Sequence, residues 1–449
     1  MSAAPHRRVA VVGSGIAGLS AAWHLATSPD APRVTLFEAD DRFGGHAHTV
    51  DLTLDGVRHG VDTGFLVFNE RTYPGLIGLF ERLGVPITAS DMSFSVQAPA
   101  LGLEWSGSTL ASVFAQRRNL VSPRFWGMLA DILRFNRVAT AIAVRGDDAA
   151  LGQSVGDFLV EHRFGAMFRD AYFLPMIGSI WSCPTAQMLR FPVGTLLRFC
   201  HNHGLLQVND RPRWFTVQGG SREYVRRLLA ALPDARRGCP VRAVRRRPPG
   251  AEGGQAGVWV DTDQGSERFD AVVLAGHAAQ SLALLPDAGA DERGVLGAIR
   301  SQPNRAVLHT DARLLPRRRR AWAAWNYEAA PDRDEHATDG DDARVCLHYL
   351  INQLQPLPWQ RPVIVSLNPL REPDPAQVHG EFAYDHPVFD AAAVAAQRRL
   401  PALQGRGGLW FCGAWMRYGF HEDGFVSGRA AARSVLDAWA RLPRRAEAA

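Results

Sequence analysis

The sequence contains no lysine; all 50 of its basic side chains are arginine. Chemistry that needs an amine side chain, such as Schiff-base formation, is thereby excluded. Cysteine is scarce. Cys183, Cys200, Cys239, Cys346 and Cys412 are odd in number and scattered, with no Cys-x-x-Cys pair. That argues against a disulfide framework or a thiolate zinc site and suits a reducing cytosol. Neither sign of charge dominates. The 50 arginines face 45 Asp and Glu, a net charge of +5, whereas a nucleic-acid binder concentrates basic charge on one face. Long apolar runs are missing too. Apart from the first turn-rich segment, no stretch offers about 20 uncharged apolar residues, so no membrane span is expected. That segment, Val9 to Ala26 behind Arg7 and Arg8, has the outline of a secretory leader, but Gly13, Gly15 and Gly18 mark it as structure.

What is present is an ordinary globular composition, 46% hydrophobic and 21% charged over 449 residues. That length fits two large domains or three smaller ones with a sizeable core. Val9 to Val12 is an apolar strand of the kind buried in a parallel sheet. Gly13-Ser14-Gly15-Ile16-Ala17-Gly18 follows, then a helix to Ala26, then a strand from Val34 to Phe37 ending at Glu38. In this setting Gly13 makes the tight turn, Gly15 lets backbone approach a pyrophosphate, and Gly18 lets helix pack on strand. The pyrophosphate would lie on the helix N-terminus. Glu38, 20 residues after Gly18, suits a ribose hydroxyl and disfavours the 2′-phosphate of NADP.

Glu38-Ala39 followed by Arg42-x-Gly44-Gly45-His46 resembles the extended FAD fingerprint of the amine oxidase and phytoene desaturase superfamily. The resemblance implies an α/β fold: a Rossmann-like FAD-binding domain of the amine-oxidase type with a mixed α+β substrate domain. It implies that Thr63, Gly64 and Phe65 pass close to the flavin ring, and that the strand Asp270 to Ala275, ending at Gly276 and His277, closes the FAD sheet. Gly219-Gly220-Ser221 opens a helix to Leu232, with Ser221 a good N-cap. Near the end, the strand Leu409 to Gly413 and the run Tyr418-Gly-Phe-His421-Glu422-Asp423-Gly424-Phe425 resemble the family's terminal FAD motif, whose helix N-terminus would favour negative charge on the reduced flavin. Val241 completes the candidate cofactor contacts. No cysteine has a flavin-attachment context, so the FAD is expected to be noncovalent.

The runs from Trp214 to Ser221, Asn304 to Asp311 and Trp322 to Tyr327, with His421 to Gly424, are similar to bacterial amine-oxidase-like flavoproteins often encoded beside cyclopropane-fatty-acid synthases. That likeness implies work on a modified fatty acyl chain. Two departures count against amine oxidation. The lysine that commonly holds a water near flavin N5 in amine oxidases is missing, and one ring of their aromatic cage is replaced by His421.

The expected FAD domain comprises 1–70, 206–284 and 401–449, and the substrate domain 71–205 and 285–400. Phe125, Met128, Leu129, Ile132 and Leu133 recur at helical spacing. Helices are also expected around 157–160 and 195–199, and strands at 306–309, 345–350 and 363–367. Tyr349, Trp181 and Tyr418 are candidates for lining an apolar pocket at the domain boundary. His421, Glu422 and Tyr349 are the candidate catalytic residues, His421 or Glu422 as proton acceptor. His46, His48, His201 and His203 lack carboxylate or thiolate partners in the sequence, so no metal is expected. Arg317 to Arg320 beside Trp322 and Trp325 is either a solvated loop or a patch for anionic lipid headgroups.

The expected protein is therefore a cytoplasmic FAD oxidoreductase with a lipophilic small-molecule substrate and no nucleic-acid partner; the patch reading of Arg317 to Arg320, as opposed to the solvated-loop reading, would add peripheral contact with an anionic membrane. Oxygen, a quinone or another acceptor would reoxidise it. The competing readings are an amine oxidase producing hydrogen peroxide and a FAD-containing lipid- or partner-binding protein without turnover.

Overall fold

In a computed structural model, the structure describes residues 7–146, 152–182, 185–207, 211–247, 256–330 and 345–441. Cys183 and the two ends of the expected FAD domain lie outside them. The apolar strand β1 (Arg8–Val12) is the middle of a five-stranded sheet. Its order is Asp234–Arg236, β2 (Arg33–Phe37), β1, Ala271–Leu274 and Leu409–Phe411, all parallel. Val9, Ala10 and Val11 are fully buried, as a strand covered on both faces requires. Helix α1 (Ile16–Ala26) covers one face, and the last helix, His421–Ala440, packs along it. That approach needs glycine: a Cβ on Gly428 would lie 2.0 Å from the Ala17 carbonyl oxygen, and one on Gly424 2.7 Å from Ile16. The other face carries a three-stranded antiparallel sheet, Val241–Arg247, Gly257–Thr262 and Gly265–Phe269.

The second half is built on a seven-stranded mixed sheet. Its order is Val378–Pro387, Ser301–His309, Ile364–Leu367, Cys346–Leu350, Trp325–Glu328, Phe94–Ala98 and Leu103–Ser106. Helices Pro123–Arg145, Val155–Glu161, Leu174–Trp181 and Val193–Asn202 pack over it around Phe135, Phe168, Phe173 and Phe199. The mixed sheet with covering helices is as expected.

The packing does not follow the expected domain limits at 70/71, 284/285 and 400/401. Leu76, Leu79 and Phe80 of helix α2 (Pro74–Leu83) join the core beside the parallel sheet, and Val295, Leu296, Ala393 and Ala396 join it on the other face. Burial decides membership here, and the sequence positions of the glycine motifs do not reveal it. No helix of the described residues is long and apolar enough to cross a membrane.

Candidate functional site

At the end of β1 the three glycines serve different ends. Gly13 has φ +101°, a value that only glycine adopts cheaply. A Cβ on Gly18 would lie 1.8 Å from the Gly13 carbonyl oxygen, so Gly18 lets α1 sit on the turn. A Cβ on Gly15 would meet nothing within 4 Å. Gly15 is also the N-cap of α1, and no side chain caps that helix. An open cradle therefore lies against uncapped N–H groups at a positive helix end, which is an anion site. Glu38 accepts hydrogen bonds from Ser14 N (2.8 Å), Ser14 Oγ (2.5 Å) and Asp40 N (2.9 Å), and so faces the same loop.

From this loop a cavity of about 860 Å³ runs into the second half. Gly13, Ser14, Gly15, Ile16, Ala17, Glu38, Ala39, Arg42, Gly45, His46, Gly64, Phe65, Val241, Gly276 and Gly413, all candidate cofactor contacts, line it. Its far end is apolar: Met92, Ile180, Trp181, Phe199, Leu205, Trp214, Trp325 and Tyr349. The pocket candidates Trp181, Tyr349 and Tyr418 all reach it.

Other expected contacts do not line it. Gly18 acts through packing. Gly44 makes a turn at φ +117°, where a Cβ would lie 2.5 Å from the Ala47 carbonyl oxygen. Thr63 is held by Tyr384, Oγ1 to Oη 2.6 Å. Phe425, on the terminal helix, is buried against α1 at His24, and Gly424 packs on Ile16. Asp423 accepts from Tyr418 N (3.2 Å) and Phe420 N (3.0 Å), fixing the turn ahead of the helix; burial pushes its carboxyl up to about 6. Glu422, expected as a base, is turned the other way. Its two oxygens accept from Gly75 N and Leu76 N, each 2.8 Å, at the start of α2. It therefore caps a helix. Ser221, expected as an N-cap, does not cap through its side chain; its Oγ donates to Asp62 at 2.8 Å.

His421 does face the cavity. It stacks on Phe65 with centroids 3.8 Å apart and planes at 9°. Its Nε2 is 2.5 Å from the Tyr224 hydroxyl. Tyr224 is fully buried, and its hydroxyl has no other bond among the described residues, so the O–H must donate and Nε2 accept. The ring proton is then on Nδ1. Burial drives the imidazole down to about 3, so it is neutral at physiological pH and a weak base. Tyr349 forms an edge contact with Trp325, and burial raises its phenol above the ordinary value.

The sequence reading missed a histidine cluster. His277 and His386 flank His46 with ring centroids 6.2 and 5.5 Å away, and all three line the cavity. Burial lowers all three, His386 to about 4. Tyr384 and His386 share one face of the strand Val378–Pro387; the alternation Phe382, Tyr384, His386 was the available signal. His203 also reaches the cavity, stacked on Phe199 at 3.8 Å. Among the described residues, one group has the spacing of a metal site: Glu328, Cys346 and His348. Its atoms are already engaged. His348 bonds Glu328 at 2.9 Å and Ser366 at 2.6 Å, and Arg371 supplies Glu328 with a cation at 2.8 Å.

The sequence profile of flavin containing amine oxidoreductases matches residues 16–314. The chain belongs to this family. It is thus a flavin-dependent oxidoreductase with the amine-oxidase fold, and the open cradle at Gly15 fits the phosphates of such a cofactor. No curated protein matches the sequence. Among solved structures, a fatty acid isomerase from P. acnes that produces CLA superposes with a TM-score of 0.63 at 16% identity, covering 97% of this chain and 99% of that one. Putrescine oxidase bound to putrescine gives 0.65 at 16%, over 96% and 99%. Cyclohexylamine oxidase from Brevibacterium oxydans IH-35A gives 0.65 at 15%, over 97% and 100%. These likenesses concern the fold.

Proposed function

We propose that this family member binds FAD noncovalently and oxidises a lipophilic substrate, with a modified fatty acyl chain as the first candidate. The supporting observation is the single cavity that joins the glycine loop to a wall of tryptophan, phenylalanine and tyrosine. FAD, when bound, supplies a two-electron acceptor for a hydride. Glu38 would hold a ribose hydroxyl, and the Gly15 cradle with the N-terminus of α1 the pyrophosphate. Cys412 is fully buried, with burial pushing its thiol up to about 12, which suits noncovalent binding because a thiolate is the reactive form.

The chain's other contribution is to exclude water and to orient the substrate. Trp181, Trp214, Trp325 and Phe199 give an acyl chain an apolar bed. His421, neutral and fixed by Tyr224, keeps its Nδ1–H available as a donor beside Phe65. Neither His421 nor Glu422 suits the role of proton acceptor, the first because burial makes it weakly basic and the second because it caps α2. The fatty acid isomerase among the similar folds supports an acyl substrate. The family itself supports a second reading, an amine oxidase, against which the missing lysine stands.

Anaerobic mixing of the purified yellow protein with fatty acids, lipid extracts and an amine panel separates the readings. Loss of flavin absorbance with the lipids is expected. Bleaching by amines alone, with peroxide formed in air, would replace the proposal by the second reading. Retained FAD that no substrate reduces would favour a binding protein without turnover.

A further inference from the structure

Several arginines on this surface have an acid opposite them. Arg58 meets Asp51, Arg213 meets Glu70, Arg242 meets Asp263, and Arg305 meets both Glu372 and Glu381. One region concentrates arginines with almost no acid among them. Residues 99–126 and 315–322 contain Arg117, Arg118, Arg124 and Arg317 to Arg320, seven arginines, with Glu104 as the sole acid. All seven are exposed, whereas Glu104 is 9% exposed. Glu104 is spent inside: it accepts from Arg317 N (3.0 Å), Arg318 N (3.2 Å) and Arg318 Nη1 (3.1 Å). Arg117, Arg124, Arg317, Arg319 and Arg320 have no carboxylate partner among the described residues.

The same region gathers unburied apolar side chains. Leu110 is 79% exposed, Val121 83%, Leu101 52%, Leu120 50% and Trp126 50%. The two chain segments are one surface. Helix Leu110–Val113 packs on the turn Arg319–Ala321. Gln116 ties Glu104 N (3.2 Å) to the Gly102 carbonyl (2.9 Å), joining the 99–102 turn to the 117–121 turn. Trp126 donates its indole N–H to the Leu120 carbonyl at 2.9 Å and lies 5.5 Å from Phe114. The tryptophan is thus held at the surface with its polar edge satisfied and its ring half in water. Arg319 lies over the Trp322 ring at 5.4 Å.

Unpaired cations ringing exposed leucine, valine and tryptophan are complementary to an anionic bilayer, whose headgroups take the guanidinium groups while the interface takes the apolar tips. We infer that this face docks the protein peripherally on a membrane of anionic phospholipid. The inference is independent of what the cavity oxidises. It places a protein with an apolar-lined cavity at the surface where lipophilic molecules are concentrated.

The test is sedimentation of the flavin-loaded protein with vesicles of equal phosphatidylglycerol and phosphatidylcholine, against pure phosphatidylcholine. Binding to the anionic vesicles is expected, with release at molar salt, where the screening length falls to about 3 Å. Replacing Arg317, Arg319 and Arg320 by glutamine should lower partitioning on the order of a hundredfold, from about fivefold per charge. Leu110→Ser with Val121→Ser should lower it by more than about tenfold. These side chains are exposed, so folding and flavin retention should be unchanged. Val57→Ser and Arg433→Gln, away from this face, should bind as the parent does. Equal binding to both vesicle types, or anionic binding that neither set of substitutions weakens, overturns the inference. So does self-association lost in Leu110→Ser/Val121→Ser without vesicle binding, which would assign the face to a second copy. Tight duplex DNA binding without vesicle binding overturns it as well.

Discussion

Replacing Gly15 with valine separates cofactor binding from folding. In the protein without ligand, a Cβ at this position meets nothing within 4 Å, and the backbone at φ −61°, ψ 174° is one that valine accepts. The lost N-cap preference, about 1 kcal/mol, is partly offset by about 0.4–1 kcal/mol from the less flexible unfolded chain, so the apoprotein should keep its stability. The side chain would instead fill the cradle where phosphate oxygens approach α1. Losing two charge-assisted hydrogen bonds there costs about 3–6 kcal/mol, or about 10²- to 10⁴-fold in Kd. Titration of the apoprotein with FAD, read by flavin fluorescence, measures this, and melting without FAD checks the fold. Gly18→Val is the contrast: its Cβ would lie 1.8 Å from the Gly13 carbonyl oxygen, so it should destabilise the apoprotein itself. A Gly15→Val protein that binds FAD as tightly as the parent would refute the assignment of the loop.

Tyr224→Phe leaves the buried Nε2 of His421 without its donor and should cost about 1–3 kcal/mol of unfolding free energy; an unchanged urea midpoint would contradict the bond. Glu422→Gln should lower stability by about 1 kcal/mol through the weakened cap on α2 and leave turnover nearly intact. Lost turnover at unchanged stability would restore Glu422 to catalysis. Stability should also fall on acidification. Burial holds His48, His203, His309 and His386 at about 4 and His421 at about 3, so between there and about 6.5 the unfolded chain binds more protons than the folded one. Asp62 and Asp423, raised to about 6 by burial, pull the other way, but these histidines outnumber them. The urea midpoint should drop from pH 7 to pH 5, and a flat or rising profile would count against neutral buried histidines.

The parts of the site that were legible in the sequence are those whose chemistry is local. A strand, a turn needing φ above zero and a helix N-terminus occupy consecutive residues, so Gly13, Gly15, Gly18 and Glu38 could be placed from spacing alone. Arg42, Gly45 and His46 follow directly and line the cavity. The terminal motif was read less well. His421 faces the cavity, but at the start of a helix successive residues point about 100° apart, so Glu422 and Asp423 face α2 and the preceding turn instead. Tyr384 and His386 escaped notice because they arrive on a strand more than 300 residues from His46 and His48, paired to them by tertiary register alone. Domain limits failed for a similar reason. Helix α2 belongs to the core it covers, and its sequence neighbours do not say which core that is.

The most direct test of the central claim is the cofactor itself, released from the purified protein and quantified per polypeptide. The account predicts one noncovalent FAD per chain, lost on Gly15→Val. Colourless protein that takes up no FAD on reconstitution would contradict it.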